Sequence, residues 1–366
     1  MTAPGTVRET PREAPGRGAA PVRPPGHGLV RRGRVSFLLH RRSVAVTAVL
    51  AAALAAAVVA SLCLGETATA PTEVVRVLLG LPSPEALVVG TLRLPRVVLG
   101  LMVGAALGVA GGLIQTVARN PLASPEIIGV THGAAAVTVA AMTFGLTSYA
   151  LLPHLSVAGG MLAAALVYVF AWRRGLSASR FVLIGLGFSV ALRSLTHLFM
   201  TKGDFLAAQQ AQVWLTGSLN GRGWEQAAPL GWALSAMLPA VLWCARAQRR
   251  AVLDDDTATA LGVRLGRVRL GLAATGVVLA SVATGAAGPV DFVALLSPQI
   301  ARRLTRTAQI PLLATALLGA FTVVLGDLLA RRILAPVELP VGVLTAAIGA
   351  PYLVWLIARG RTGGRP

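Results

Sequence analysis

The chain has 366 residues, of which 55% are hydrophobic and only 13% are charged, and its formal net charge is +19. This composition excludes an ordinary soluble domain, in which about 25% of residues are charged, and the apolar content excludes a disordered chain. Nucleic-acid binding would explain the charge but not the mean hydropathy of +0.71. A membrane protein with its basic loops on one side explains both, with no nucleic-acid partner.

The first 43 residues are rich in Pro, Gly and Arg and show no apolar periodicity, which predicts a disordered basic tail in the cytoplasm. The apolar run Val44–Leu64 that follows has 21 residues. Although Ala68-Thr69-Ala70 resembles a signal-peptidase site, the apolar region of a signal peptide has only about 7–15 residues. We therefore interpret this run as an uncleaved first membrane span.

Further apolar segments have lengths compatible with membrane helices, since about 20 residues cross about 30 Å of hydrocarbon. They are residues 97–118, 127–146, 150–171, 181–200, 227–245, 270–287, 289–301, 308–330 and 340–358. The segment 289–301 is short enough to be re-entrant. The prediction is an all-α polytopic fold with ten transmembrane helices and both termini in the cytoplasm.

The basic residues favour this topology. The segments assigned to the cytoplasm hold 25 of the 33 basic residues and the external segments hold seven, while Arg193 lies within a span. Such an asymmetry is typical of cytoplasmic loops in membrane proteins. If 289–301 did not cross, the basic segments after it would lie outside, so ten crossings are favoured.

The sequence lacks the residues needed for ATP hydrolysis or metal binding. Lys202 is the only lysine and is followed by Gly203, so the chain has no Gly-Lys-Ser/Thr triplet of a Walker A loop. Cys63 and Cys244 lie in apolar runs, and the five histidines do not follow zinc-site spacings. We expect no enzyme activity and no cofactor, with any ATP hydrolysis on a separate subunit.

A glycine stripe marks the second span, where Gly100, Gly104, Gly108 and Gly112 recur every four residues. On a helix this spacing makes one face without side chains, which another helix can approach closely. The stripe predicts helix packing at the centre of a bundle, which is compatible with a position beside a transport path.

Five sequence blocks occur in a characteristic order. They are RLPR at 93–96, RNPLASPEIIGV at 119–130, DDDTATALGV at 254–263, GPVDFVALLSPQIARR at 288–303 and GDLLARRILAPVELPVGVLTAAIGAP at 326–351. Their order and spacing resemble the ABC-transporter permeases for iron–siderophore complexes, haem and vitamin B12. The resemblance extends from about residue 44 to 359.

This resemblance implies a type II ABC importer permease with a membrane domain at 44–359 between a tail at 1–43 and a tail at 360–366. It implies a second permease subunit, identical or homologous, two ATPase subunits, an external substrate-binding protein and a bacterial cytoplasmic membrane. Residues 214–224, WLTGSLNGRGW, are more similar to siderophore-type than to vitamin B12-type members. This favours a ferric siderophore as the substrate.

The resemblance assigns Arg93, Arg96 and Arg331 to docking of the binding protein, because arginines at these motif positions bind its acidic residues. The planar guanidinium suits this role, since it can hold a carboxylate with two hydrogen bonds. The alternative is that these side chains extend to lipid headgroups at the interface.

On the cytoplasmic side, the block 254–263 matches the helix that couples the permease to its ATPase. Acidic residues at its start and a glycine after its end independently predict a short helix. The residues concerned are Asp254, Asp255, Asp256, Ala260, Leu261 and Gly262. The alternative is a solvated surface helix whose acids offset nearby arginines.

Arg193 lies 13 residues into the span 181–200, about 20 Å along a helix. A charge at that depth usually faces a cavity or a partner. Arg193 either lines the translocation path and attracts an anionic chelate or pairs with Asp327. His197 either shares that face or packs internally, and Gly185 and Gly187 permit close packing or a smooth wall.

The block 288–303 departs from the family pattern, with Ser297-Pro298-Gln299 where His usually follows Ala-Pro, and with Asp291 at an uncharged position. A second functional class remains open, because a secondary transporter also places ionisable residues in its spans. Arg193 and Asp327 are the clear candidates for such a site, and no repeated acidic ion site is apparent.

Overall fold

The computed structural model describes residues 27–32, 35–65, 67–145, 151–172, 178–251 and 255–360. Its regular structure is helical except for an antiparallel hairpin of β1 (His27–Arg32) and β2 (Val35–His40). The hairpin corrects part of the predicted disordered tail. Its register places Val30 opposite Phe37, and apolar, β-branched and aromatic neighbours favour paired strands. Residues 1–26 and 361–366 of the predicted tails lie outside the described residues.

The first helices are α1 (Arg41–Cys63), α2 (Pro71–Leu78) and α3 (Leu94–Ala118), which a π-helical turn at Val88–Arg93 precedes. The remaining helices are α4 (Val130–Thr143), α5 (Leu152–Ala171), α6 (Ala178–Lys202), α7 (Phe205–Leu215), α8 (Trp224–Ala251), α9 (Asp255–Ala260), α10 (Leu265–Ala287), α11 (Val293–Thr305), α12 (Leu312–Arg332) and α13 (Val341–Gly360). Each predicted span overlaps one of these helices. The short helices α2 and α7 lie in predicted loops.

Within the described ranges, seven helices are long and apolar enough to cross a membrane. They are α1, α3 with its π-helical turn, α5, α6, α8, α10 and α12. The apolar helix α4 and the apolar part of α13 are shorter, and α11 has 13 residues. Apart from the hairpin, the fold is therefore helical, with several candidate membrane spans.

Helix α3 forms the centre of the bundle, where it packs against α8, α10, α11 and α12. The glycine stripe lies in this centre. A Cβ atom at Gly104 would overlap the carbonyl oxygen of Gly319, and one at Gly108 would lie 2.6 Å from that of Thr315. The backbones of α3 and α12 can approach this closely because no side chains separate them.

The loop after α7 is joined to the neighbouring helices α10 and α13 by backbone contacts. The amide of Ser218 donates to the carbonyl of Ala287 at 2.9 Å, and the amide of Gly342 donates to that of Gly217 at 3.1 Å. Gly217 has φ +64°, and a side chain there would overlap the carbonyl oxygen of Pro289. Glycine at this position therefore lets three segments cross.

Candidate functional site

Arg93, one of the three expected docking residues, is buried and fastens the end of α1. Its guanidinium donates to the carbonyl oxygens of Leu62 at 2.8 Å and Thr67 at 2.6 Å. It also donates to the hydroxyl of Thr69 at 3.0 Å. These hydrogen bonds hold the segment between the end of α1 and the start of α2 in place.

Arg96 and Arg331 share the buried carboxylate of Asp327. Arg96 donates through Nε and Nη2 to Asp327 at 2.9 to 3.1 Å, and through Nη1 to Glu338 at 3.0 Å. Arg331 lies 3.2 Å from the second carboxylate oxygen of Asp327 and donates to the hydroxyl of Ser61 at 2.7 Å. Two cations and two anions therefore balance one another in this ionic cluster of Arg96, Asp327, Arg331 and Glu338.

We expected these three arginines to dock the binding protein. In the structure each guanidinium is already bound within the chain. The i,i+4 spacing of Asp327 and Arg331 was a signal of their pairing, but the contact with Arg96 joins residues 231 positions apart. The alternative that Asp327 pairs with Arg193 is wrong, since Arg96 and Arg331 occupy its carboxylate.

The first half of α6 packs on the loop between α3 and α4. The hydroxyl of Ser189 lies 2.9 Å from the carbonyl oxygen of Ile127, and a Cβ at Gly185 would lie 2.9 Å from the Cα of Ile128. Gly187 faces open space, because a Cβ there would meet no atom within 4 Å. The two glycines therefore have different surroundings: Gly185 permits close packing and Gly187 lies on an open face.

Further along α6, the side chains of Arg193 and His197 are exposed in the isolated chain. Arg193 acts electrostatically on Asp291 and on His132 of α4. Asp291 is also exposed and lies just before α11. The sequence marked Asp291 as an unusual residue but gave no signal of an electrostatic interaction with Arg193, because the two lie in distant segments.

Gln299 of α11, which departs from the family pattern, forms a buried amide pair. Its side-chain nitrogen donates to the side-chain oxygen of Gln115 in α3, and the side-chain nitrogen of Gln115 donates to the carbonyl oxygen of Leu295 at 3.0 Å. The Ser297 hydroxyl beside it is buried without a partner among the described residues. The change from His to Gln in the block 288–303 is therefore accommodated by a second amide on α3.

The predicted coupling segment contains the short helix α9, and Gly262 follows it with φ +71°. Ala260 and Leu261 are exposed, and 67% of the Leu261 side chain is accessible. Asp254 and the side chains of Asp255 and Asp256 lie outside the described residues. The segment thus presents an apolar side chain beside a helix that the glycine ends.

Helix α7 packs on α4 and α5 and borders a mainly apolar cavity that carries several polar side chains. Ala211 and Trp214 pack with Met142 and Leu152, and Asp204 caps the helix by accepting from the amide of Ala207 at 2.7 Å. Helix α7, the following loop and the edge of this packed cluster, including Trp214, line a half-open cavity of about 630 Å³. Its polar lining includes Gln209, Gln210, Gln212, Ser218, Asn220, Arg222 and Glu338. The three glutamines carried no motif that would have identified them.

Comparisons with known proteins agree over most of the chain. Residues 53–359 match the model of the FecCD transport family. The ferric enterobactin transport system permease of Escherichia coli (strain K12) is 40% identical, over 75% of this chain and 84% of the relative. The achromobactin transport system permease of Dickeya dadantii (strain 3937) is 38% identical, over 92% of this chain and 97% of the relative.

A solved structure has the same fold. It is a chain of an ABC transporter described as metal-chelate type, in an inward-facing conformation, and it matches with a TM-score of 0.73 and 29% identity. The match covers 86% of this chain and 99% of the solved chain. The chain described here belongs to the FecCD transport family.

Proposed function

We propose that this chain is the permease subunit of an ATP-driven importer that carries ferric siderophores across the bacterial cytoplasmic membrane. The observation that carries this proposal is the family match over residues 53–359. Relatives that cover most of the chain are named for the transport of ferric enterobactin and achromobactin. Haem and vitamin B12 are alternative substrates within the same group of importers.

The proposed topology has ten crossings with both termini in the cytoplasm and a membrane domain at 44–359. The distribution of basic residues supports it, as do the seven long apolar helices. The crossings by α4, α11 and α13 use shorter apolar helices. Buried non-helical backbone around Ile128 lies at the start of α4, where contact with α6 shields it from lipid.

We assign the translocation path to the open face of α6, with Gly187, Arg193 and His197 along it, whereas Gly185 supports this wall from behind. A second permease subunit, identical or homologous, would cover the face from the other side. Arg193 supplies the positive charge that attracts an anionic chelate. Its balance with Asp291 keeps this part of the path from being uniformly basic.

Two ATPase subunits would bind the cytoplasmic face, with Leu261 fitting a groove beside α9. The external binding protein would contact the loops that Arg93, Arg96 and Arg331 hold in place. These arginines then support docking by shaping the surface. The exposed Arg332, which donates to the carbonyl of Gly65 at 2.9 Å, is placed to meet an acidic partner.

A secondary transporter is disfavoured because Asp327, one of its two candidate ion-site residues, is neutralised by two arginines. The discriminating experiment places this chain with its ATPase subunit in lipid vesicles and supplies the binding protein and radiolabelled ferric enterobactin. We expect uptake that requires ATP and persists when ionophores collapse all ion gradients. Uptake that stops with the gradients would contradict the proposal, and haem and vitamin B12 are tested in the same vesicles.

A further inference from the structure

The cavity beside α7 lies on the proposed external face and is large enough for a small-molecule ligand. Its volume of about 630 Å³ falls within the range of about 300 to 1,000 Å³ typical of ligand pockets. It is half-open, and Trp214 with neighbouring apolar side chains forms part of its wall. A cavity of this size at the entrance of a transporter suits a bound substrate better than a few waters.

The amide side chains of the cavity are not explained by the packing of α7. Ala211 and Trp214 hold the helix against α4 and α5, whereas Gln209 and Gln212 are exposed. Within the described parts of the chain, the side chains of these two glutamines, Gln210 and Asn220 make no hydrogen bond. Each primary amide therefore offers two N–H donors and one oxygen acceptor to a ligand.

The charged groups of the cavity leave it close to neutral. The carboxylate of Glu338 is held by Arg96 at 3.0 Å, so its negative charge is compensated. Arg222, the cation of the lining, is likewise engaged in an interaction within the chain. The cavity therefore neither repels a ligand with negatively charged oxygens nor holds it by strong ionic attraction.

We propose that this cavity receives the ferric chelate from the binding protein, and that Gln209, Gln210, Gln212 and Asn220 donate hydrogen bonds to the oxygens of an anionic chelate. The inference rests on the proposed function and deepens it by assigning an external substrate site. Neutral amides suit such a site because their hydrogen bonds are weaker than those of charged groups. The chelate is oriented there and can still leave toward the path.

The loop after α7, which forms one wall of the cavity, is fixed by hydrogen bonds to neighbouring helices. Ser218 is bound to the end of α10, and the loop carbonyl of Gly217 accepts from Gly342 at the start of α13. Asn220 follows this fixed segment by two residues. The backbone that carries the Asn220 side chain is therefore held in place by α7, α10 and α13. Such a fixed wall is typical of a preformed pocket.

The first test measures occupancy of the cavity directly by cysteine labelling. The chain has two native cysteines, Cys63 and Cys244, and both are buried, so an introduced cysteine can be labelled selectively. The Gln212→Cys variant of the permease–ATPase complex in nanodiscs is treated with a membrane-impermeant maleimide. The Lys202→Cys variant, exposed on the same side but outside the cavity, is the matched control.

We expect saturating ferric enterobactin to slow labelling of Gln212→Cys about fivefold or more and to leave Lys202→Cys unchanged. If the vesicle assay shows that another ferric chelate is carried, that chelate is the probe. Equal labelling with and without the carried chelate would overturn the inference while leaving the proposed function intact. Absence of labelling without chelate would also overturn it, because a second permease copy would then fill the cavity.

The second test measures transport by Gln212→Glu, which keeps the shape of the side chain and adds a negative charge. The KM for the anionic chelate should rise about fivefold, as expected for loss of a neutral hydrogen bond, while the maximal rate is retained. Thr201→Glu places the same charge outside the cavity and should leave KM unchanged. An unchanged KM in Gln212→Glu, or an equal rise in both variants, would contradict the assignment. If no ferric chelate is carried by the wild-type protein, the proposed function itself fails.

Discussion

Replacement of Asp327 by asparagine tests whether the expected docking arginines serve the fold. The substitution keeps the side-chain size but removes the charge that two buried arginines share. Arg96 binds this carboxylate through two nitrogens at 2.9 to 3.1 Å, and Arg331 lies 3.2 Å from it. The variant leaves two cations facing the single carboxylate of Glu338.

The expected magnitude follows from the geometry of this cluster. Charge centres about 4 Å apart attract each other by about 4 kcal/mol at an effective dielectric constant of about 20. Breaking a buried pair by removing one partner costs about 3 to 5 kcal/mol, because the remaining charge stays desolvated. We therefore expect Asp327→Asn to lower the free energy of unfolding by about 3 kcal/mol or more.

The double variant Asp327→Asn with Arg96→Gln restores the charge balance, since Arg331 and Glu338 then remain as one cation and one anion. It should recover part of the loss, with a coupling free energy of about 2 kcal/mol between the two sites. Unfolding by SDS in mixed micelles, followed by circular dichroism, measures these differences. The control is Glu225→Gln, which removes an exposed acid and should change stability by less than about 0.5 kcal/mol.

A different outcome would refute the internal role of Arg96. If Asp327→Asn and Arg96→Gln both keep wild-type stability and only Arg96→Gln loses affinity for the binding protein, Arg96 docks the partner directly. The structural role predicts that both substitutions destabilise the chain. It also predicts that any loss of docking accompanies the loss of stability.

Three further substitutions test other parts of the structure. Gly104→Ala should destabilise the chain by about 1 to 3 kcal/mol, because its Cβ would overlap the backbone of α12, while Gly187→Ala on the open face should be neutral in the same unfolding assay. Arg193→Gln should reduce vesicle uptake of an anionic ferric chelate by about tenfold, the effect of losing about 1.4 kcal/mol of attraction. Arg193→Lys keeps the charge and should retain most uptake. Unchanged uptake in Arg193→Gln would show that this residue does not line the path. Leu261→Arg should allow ATP hydrolysis without chelate uptake, and normal uptake per ATP hydrolysed would show that Leu261 does not contact the motor.

The helices were predictable because an apolar run of membrane length is a strong local signal. The glycine stripe also predicted close approach, and Gly104 and Gly108 contact the backbone of α12. The hairpin and α7 were harder to predict. Helix α7 has only 11 residues. Its apolar residues Ala211 and Trp214 do not by themselves predict a packed face, because the surface on which they pack comes from α4 and α5.

The arginines show why the site was less predictable than the fold. From the sequence, Arg96 was expected to lie in an external segment and to dock the binding protein. Its burial depends on Asp327 and Glu338, which lie more than 200 residues away. The motif therefore identifies Arg96 in the sequence but not its electrostatic partner. That partner is determined by the packing of α3 against α12.

Packing and charge together suggest that α3 and α12 move as one body during transport. Near the start of α3, Arg96 binds Asp327 of α12, and further along the helix Gly104 and Gly319 bring the two backbones into contact. Such a contact has no flexible side chains that could absorb sliding, so relative movement would open a gap or break the ion pair. A disulfide between α3 and α12 can be introduced by Gly100→Cys and Val324→Cys, because a Cβ at Gly100 would lie 3.6 Å from the Cγ2 of Val324. The crosslinked protein should keep its uptake, and loss of uptake on crosslinking would show that the two helices must separate.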